Sequence, residues 1–142
     1  MTEAGSQPPI LIASADEQVR EVLARLVETA GLEAVRLDPA VDIPDAVVAT
    51  IAAGLVLDMD AGNQSVLEAI RRRTESTAAN VRVVVIGSGP AGGRLALQAG
   101  ADGYLVRPFH ARDLQSAVTG ALGRSEAGRH AWRAATAESL ES

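Results

Sequence analysis

The sequence contains no cysteine, no lysine and no long hydrophobic run. Without cysteine the chain can form neither disulfides, nor thiolate nucleophiles, nor thiolate metal sites. All 13 basic residues are arginine, so an arginine at a functional position can reflect composition as well as selection. No apolar segment approaches the length that crosses a bilayer, and residues 1–9 lack a signal-peptide pattern. We therefore predict a cytoplasmic protein that contacts no membrane.

The composition is typical of one folded domain with short tails. The 142 residues are 47% hydrophobic and 22% charged, as in globular proteins, and they suffice for one complete core. The formal net charge of −5 argues against nucleic acid as the main partner. We predict a flexible N-terminus over residues 1–9, a domain over residues 10–122, and a tail or helical extension over residues 123–142.

Hydrophobic periodicity predicts five strands that alternate with five helices. Asp16 is expected to cap the first helix, and Gly31 to follow its end in a left-handed conformation. The alternation of strand and helix predicts an α/β fold with a doubly wound, five-stranded parallel sheet, (βα)5. Short apolar runs mark the strands, at residues 10–13, 32–37, 54–58, 81–86 and 103–106.

The third predicted strand, Gly54–Asp58, ends on a carboxylate. An unbroken apolar run is typical of a strand that is buried on both faces. The carboxyl ends of parallel strands open into the crevice where ligands collect, so Asp58 is the first candidate functional residue. The alternative interpretation is a turn or N-cap aspartate that starts the next segment.

Other conspicuous residues have structural interpretations. Arg71–Arg73 end the third predicted helix, where cations suit the helix dipole, so we expect a solvated helix end rather than an anion site. His110 is expected to be a cap or loop residue, and neither it nor His130 pairs with a nucleophile, so we predict no enzymatic activity. Trp132, the only tryptophan, either packs back onto the domain or anchors a partner.

The segment Gly87–Gly92 matches the G-x-G-x-x-G fingerprint of dinucleotide-binding proteins. The mechanism would be close approach of a pyrophosphate, or of a single phosphate-sized anion, to backbone amides at a helix N-terminus. However, the fingerprint lies in the fourth strand-helix unit, and Arg107 ends the next strand where an acid is expected. Dinucleotide or anion binding is therefore kept only as an alternative.

The chain from Ile10 to Leu122 resembles the response-regulator receiver domains of two-component signalling. The resemblance depends on the Ile10–Ile12 run, on Asp16, on Asp58 at the end of its strand, and on the Tyr-Leu-Val-Arg-Pro-Phe run at Tyr104–Phe109, all in order and at fitting separations. It implies a flavodoxin-like fold, as in the single-domain chemotaxis regulators. It also implies that Asp58 is the phosphoacceptor for a histidine kinase.

The resemblance further implies a Mg²⁺ site, and here the sequence departs from the family. The acidic pair that holds the metal falls on Ser14 and Ala15, so two carboxylates are replaced by uncharged side chains. Asp58 and Asp60 are the remaining candidate ligands, and we expect Mg²⁺ binding to be weak or absent. Because attack of a carboxylate on a phosphoryl group needs such a cation, we expect phosphorylation of Asp58 to be impaired or absent.

The switch positions of the family are only partly kept. The family's hydroxyl residue falls on Gly87 or Ser88, and Ser88 could supply it unless it is an ordinary loop serine. Tyr104 matches the switch aromatic, whose ring moves inward on activation, although a half-buried strand tyrosine is the alternative. Arg107 replaces a lysine and could pair with Asp58, but a guanidinium is not interchangeable with an ammonium.

The leading hypothesis is a stand-alone, atypical receiver that works as a signalling protein-interaction module. By resemblance it would bind a signalling partner through its fourth helix, fifth strand and fifth helix, with Tyr104 at the centre. The same face could support a homodimer. The alternative is a working phosphoacceptor, in which Asp58 and Asp60 hold the metal and a histidine kinase is the partner. The sequence leaves the cis or trans state of Arg107–Pro108 open.

Overall fold

The computed structural model describes residues 8–141, so most of the predicted flexible N-terminus, residues 1–9, lies outside the described residues. No helix in this part of the chain is both long enough and apolar enough to span a membrane. The strands are β1 (Ile10–Ser14), β2 (Ala34–Arg36), β3 (Gly54–Asp58), β4 (Arg82–Gly87) and β5 (Gly103–Val106). The helices are α1 (Glu17–Thr29), α2 (Ile43–Thr50), α3 (Asn63–Arg72), α4 (Ser76–Asn80), α5 (Pro90–Gln98), α6 (Ala111–Gly123) and α7 (Glu126–Glu141), and a 3₁₀ turn spans Asp60–Gly62.

The five strands form one parallel sheet in the order β2-β1-β3-β4-β5, which confirms the predicted fold class. β3 is the central strand, and all five of its residues are buried. Its register pairs Asp58 with Ser14 at the end of β1. The long apolar run of β3 follows from this central place, because helices cover both faces of the sheet.

Two layers of apolar side chains join the sheet to its helices. One face packs against α2, α3, α4 and α5, and the other packs against α1 and α6. Burial of each large aliphatic side chain stabilises the fold by about 1.5–3 kcal/mol. The largest fully buried side chains include Leu11, Val47, Leu55, Leu67 and Ile70 on the first face and Ile10, Ile12, Val27, Ile86 and Leu114 on the second.

The helix termini follow the sequence signals. Asp16 caps α1, because its Oδ1 accepts hydrogen bonds from the backbone N–H groups of Gln18 (2.8 Å) and Val19 (3.1 Å). Gly31 follows α1 with φ of +87°, the left-handed conformation that favours glycine. Asp42 caps α2, because its Oδ1 accepts a hydrogen bond from the backbone N–H of Asp45 (3.0 Å).

Two helices lie beyond the five of the (βα)5 pattern: α4, which the sequence did not predict, and α7, which lies in the segment expected to be a tail or helical extension. α4 is a five-residue helix that lacks the length for a hydrophobic period. α7 contains most of the predicted tail and packs against α5. Trp132 on α7 is half-buried, and the Arg124 guanidinium lies 4.2 Å from the centroid of its ring. This contact joins α7 to the residue that directly follows α6.

Candidate functional site

Asp58 lies at the carboxyl edge of the sheet and is only 3% exposed. Its Oδ1 accepts a short hydrogen bond from Nη2 of Arg107, and its Oδ2 accepts a weak one of 3.4 Å from Ser14 Oγ. The alternative that Asp58 caps the next helix is wrong, because α3 begins at Asn63 after Gly62 and has no side-chain cap. Asp58 is therefore a buried carboxylate that is paired with a cation of the protein itself.

Arg107 follows β5 and joins Pro108 through a cis peptide bond. Its side chain is 40% exposed, and its Nη1 lies 3.8 Å from Oδ1 of Asp60. Asp60 is a non-glycine residue in the left-handed region, with φ of 53°, and its side chain is 77% exposed. The guanidinium thus lies between the buried and the exposed aspartate. The structure confirms the expectation that Arg107 can pair with Asp58.

The two positions of the family's acidic pair differ in their roles. Ser14 is 2% exposed, and its Oγ accepts a hydrogen bond from the backbone N–H of Asp16 (3.2 Å) while donating to Asp58. Arg20 adds a second cation nearby, since its Nη1 donates to the carbonyl of Ser14 (3.3 Å). Ala15 is exposed and carries no oxygen in its side chain. Neither position places a negative charge beside Asp58.

The residues around Asp58 do not fit a Mg²⁺ ion. This cation takes hard oxygen ligands in near-octahedral geometry, commonly carboxylates, whereas here one Asp58 oxygen is bound by a guanidinium and the acidic pair is absent. Within residues 8–141 no group of three or more His, Cys, Asp or Glu side chains could hold a metal ion. The surrounding cavity of about 350 Å³ is lined by Ser14, Ala15, Asp16, Val19, Asp58, Asp60 and Arg107.

Asn63 fixes the loop that follows Asp58, a role that the sequence did not reveal. Its Oδ1 accepts a hydrogen bond from the backbone N–H of Met59 (2.6 Å), and its Nδ2 donates to the carbonyl of Ile86 (3.0 Å). The side chain therefore ties the end of β3 to the end of β4. A link across 23 residues has no local sequence pattern, so only the folded chain reveals this role.

Tyr104 projects from β5 over the glycine-rich loop, where its hydroxyl donates to the carbonyl of Gly89 at 2.5 Å. Its ring takes space that two glycines leave open. A Cβ on Gly87 would lie 2.9 Å from Cζ of the ring, and a Cβ on Gly92 would lie 2.8 Å from the hydroxyl oxygen. Because the phenol occupies the space that a close pyrophosphate would need, this geometry argues against the dinucleotide alternative.

Within residues 8–141, Ser88 makes no hydrogen bond to Asp58. It is exposed, follows β4 by one residue, and lines a cavity of about 460 Å³ between α3 and α5 rather than the cavity around Asp58. Gly87, the other position to which the family's hydroxyl could align, ends β4 and has no side chain. The structure thus brings together Asp58, Asp60, Arg107 and Ser14, but leaves Ser88 outside this group.

A second polar cluster lies at the opposite edge of the sheet, around Asp102. This carboxylate is 1% exposed, and it accepts hydrogen bonds from Arg71 (2.8 Å), Arg129 (2.8 Å) and Arg133 (3.0 Å). Burial lowers the pKa of Arg71 to about 10, with Asp102 opposing that change and Arg129 adding to it. The expectation of a solvated end for α3 is therefore wrong for Arg71, whose side chain is 17% exposed and is paired with Asp102.

The fold and the site define a class of protein, namely a (βα)5 domain of the receiver type with an aspartate at the end of its central strand. No protein-family model matches the sequence, and no curated protein shows significant similarity to it. Solved structures do match it, and 205 of their chains do so significantly.

Three of these structures show the extent of the likeness. A response-regulator receiver domain from Bermanella marisrubri is 19% identical, with a TM-score of 0.70 over 82% of this chain and 100% of that one. A response regulator from Thermotoga maritima is 13% identical, with a TM-score of 0.69 over 84% and 100%. A DNA-binding response regulator of the LuxR family from Staphylococcus aureus is 17% identical, with a TM-score of 0.67 over 82% and 100%. The chain therefore has the receiver fold.

Proposed function

We propose that this chain is an atypical receiver that works as a signalling protein-interaction module without phosphorylation of Asp58. The observation that supports this most is the ion pair between Asp58 and Arg107. Phosphorylation of a carboxylate requires a cation that neutralises the incoming phosphoryl group and bridges it to the carboxylate. Here Oδ1 of Asp58 is already paired with the guanidinium, and Oδ2 accepts a weak hydrogen bond from the neutral Ser14.

The chemistry of the surrounding residues supports the same conclusion. A guanidinium cannot replace a divalent cation that bridges carboxylate and phosphoryl oxygens, because it binds acceptors only through its N–H groups. Ser14 is neutral and Ala15 is apolar, so the charge that would attract Mg²⁺ is missing. Arg107 instead neutralises Asp58 permanently. In this proposal the domain has one electrostatic state, and its signalling output depends on whether a partner is present.

The proposed partner is a protein that binds the face formed by α5, β5 and α6, which are the predicted fourth helix, fifth strand and fifth helix. Tyr104 lies within this face, and two apolar side chains beside it are exposed, Leu95 by 53% and Val106 by 38%. Exposed aliphatic groups around an aromatic residue are typical of a protein interface. A copy of the same chain is the other occupant to be tested, and the molar mass in solution, measured by light scattering, separates it from a different partner.

The phosphorylation part of the proposal is tested by amide NMR with Mg²⁺ and then beryllofluoride, which mimics a phosphoryl group on an aspartate. We expect no saturable shifts at Asp58, Ser88 or Tyr104 in the unmodified protein. A variant that restores the family residues, Ser14→Asp with Ala15→Asp and Arg107→Lys, should gain Mg²⁺-dependent shifts. Saturable shifts in the unmodified protein would overturn the proposal and establish the phosphoacceptor alternative.

The interaction part is tested by affinity capture with matched surface variants. Leu95→Ser should lower the amount of the bound partner, because it removes an apolar group from the proposed face. Val22→Ser is the control, since Val22 is equally exposed, at 57%, but lies on α1. Equal capture by both variants would contradict this choice of face.

A further inference from the structure

Positive charge is concentrated at the edge of the sheet opposite Asp58. Asp102 and Glu126 are the acids that influence Arg82 there, while the whole chain carries a net charge of −5. The arginines that cluster with Arg82 therefore outnumber these two carboxylates. The arginines close enough to influence one another or Asp102 are Arg71, Arg82, Arg124, Arg129 and Arg133.

Three of these arginines line a cavity of about 320 Å³ between the end of α5 and α7. Arg71 reaches it from α3, whereas Arg129, His130 and Arg133 come from α7. Glu126 is the acid in its wall. This volume is at the lower end of the range of about 300–1,000 Å³ that is typical of small-molecule sites. The wall is thus polar, cationic and large enough for a compact ligand.

The arginines in the wall differ in how many of their N–H groups are bonded within the protein. Arg71 uses all five of its N–H groups, on the carbonyls of Gly100, Ala78 and Ala79 and on Asp102. It is therefore a structural clamp.

Arg133 uses fewer of its N–H groups within the protein. Its Nε donates to the carbonyl of Ala101 (2.8 Å), and its Nη2 donates to Gly100 (2.8 Å) and Asp102 (3.0 Å). No hydrogen bond within residues 8–141 uses its Nη1, and the side chain is 20% exposed. Arg133 thus retains charged donor capacity at the cavity.

We propose that this cavity binds a small phosphate-bearing anion, with Arg133 as the principal contact and Arg129 behind it. A phosphate group offers several acceptor oxygens and matches the planar fork of a guanidinium. Burial, and then repulsion by Arg129, lower the pKa of Arg133, and the charge of a bound phosphate group would offset that repulsion. Two of the wall's arginines belong to α7, so the ligand also fastens this helix to the domain.

The test is a titration of ¹⁵N-labelled full-length protein with pyrophosphate and, in parallel, with inorganic phosphate. Sodium chloride at matched ionic strength controls for screening. We expect saturable shifts at the amide of Gly100 and at the Nε–H signals of Arg129 and Arg133, with tighter binding of pyrophosphate. Shifts that fail to saturate, or that sodium chloride reproduces, would overturn the site and leave the arginines as a structural clamp only.

Three variants locate the site. Arg133→Gln should weaken pyrophosphate binding about tenfold, because it removes a charged hydrogen-bond donor. Arg94→Gln removes the same charge from an exposed position on α5 outside the cavity and should leave binding unchanged. Glu126→Gln should tighten binding, since it removes the acid from the wall without touching the bonds to Asp102. Equal effects of Arg133→Gln and Arg94→Gln, or weaker binding by Glu126→Gln, would refute the proposal.

This site is independent of the proposed function. The cavity and Asp58 lie at opposite edges of the sheet, so pyrophosphate binding and beryllofluoride binding report on separate groups of residues. A negative outcome of one of these two experiments therefore does not affect the conclusion of the other.

Discussion

The phenol ring of Tyr104 lies against Gly87 in space that any side chain at position 87 would need. Its hydroxyl donates to Gly89 in the same loop. In the family that this chain resembles, a hydroxyl residue at the end of the fourth strand and an aromatic residue on the fifth are separate parts of a switch. Here the aromatic ring occupies the space beside Gly87, which is one of the two positions to which the family's hydroxyl residue could align.

We predict that Gly87→Ala displaces the ring of Tyr104. The added Cβ would lie 2.9 Å from Cε1 and Cζ of the ring, and such overpacking typically costs about 1–3 kcal/mol of the free energy of unfolding. Because the chain has one tyrosine, the NMR signals of its ring report the displacement directly. Gly89→Ala is the matched control, since nothing lies within 4 Å of its Cβ position. Equal ring shifts in both variants would contradict the prediction.

The pair of Arg107 and Asp58 should show energetic coupling. Arg107→Gln leaves a buried carboxylate with only the weak hydrogen bond from Ser14, and we expect a loss of about 1–3 kcal/mol in the free energy of unfolding. Asp58→Asn removes that charge, so the double variant should lose less than the sum of the two single losses. Urea unfolding of all four proteins measures the coupling. Strict additivity would show that the two side chains do not stabilise each other.

Asp102→Asn should destabilise the protein more than any substitution of an exposed acid. It removes the one carboxylate that accepts from Arg71, Arg129 and Arg133, and breaking a buried ion pair typically costs about 3–5 kcal/mol. Asp45→Asn is the comparison, because Asp45 is 67% exposed in its pair with Arg73 and such pairs contribute about 1 kcal/mol or less. The melting temperatures of both variants test this prediction. Similar values would contradict a larger contribution of Asp102 to stability.

Acid should weaken the link between α1 and β2. Hydrogen bonds from Arg36, and then from Arg25, lower the pKa of Glu21 to about 2 from 4.5. Since the folded-state pKa lies below the unfolded one, the contribution of Glu21 is fully present above pH 4.5 and is lost as the pH falls toward 2. The difference in unfolding free energy between pH 6 and pH 3 should therefore shrink in Glu21→Gln. Glu33→Gln, at an exposed position, is the comparison variant, and an equal change in both variants would contradict the prediction.

The fold could be predicted because its signals are local and repeated. Apolar runs marked each strand, Asp16 and Gly31 marked the ends of α1, and the alternation of strand and helix gave a parallel sheet. The boundaries moved by one or two residues, as for β4, which ends on Gly87 rather than Ile86. The short α4 was missed because five residues cannot display a helical period.

The candidate site was predictable only in part. The strand pattern alone identified Asp58, whereas the resemblance identified Arg107 and the neutral Ser14, and the structure brings the three into contact. The cluster around Asp102 was not predicted, because its partners are 27–31 residues away in sequence and no local pattern connects them. The bonds of Asn63 and the packing of Tyr104 on Gly87 likewise exist only in the folded chain.

The attachment of α7 changes where this domain can be cut. A boundary after α6 matches the (βα)5 pattern, yet it would remove Arg129 and Arg133 and leave Asp102 with Arg71 alone among its three guanidinium partners. α7 thus supplies two of the three ion pairs that hold Asp102. A fragment that ends at residue 122 should therefore have a lower free energy of unfolding. A fragment that extends beyond residue 133 would retain these ion pairs.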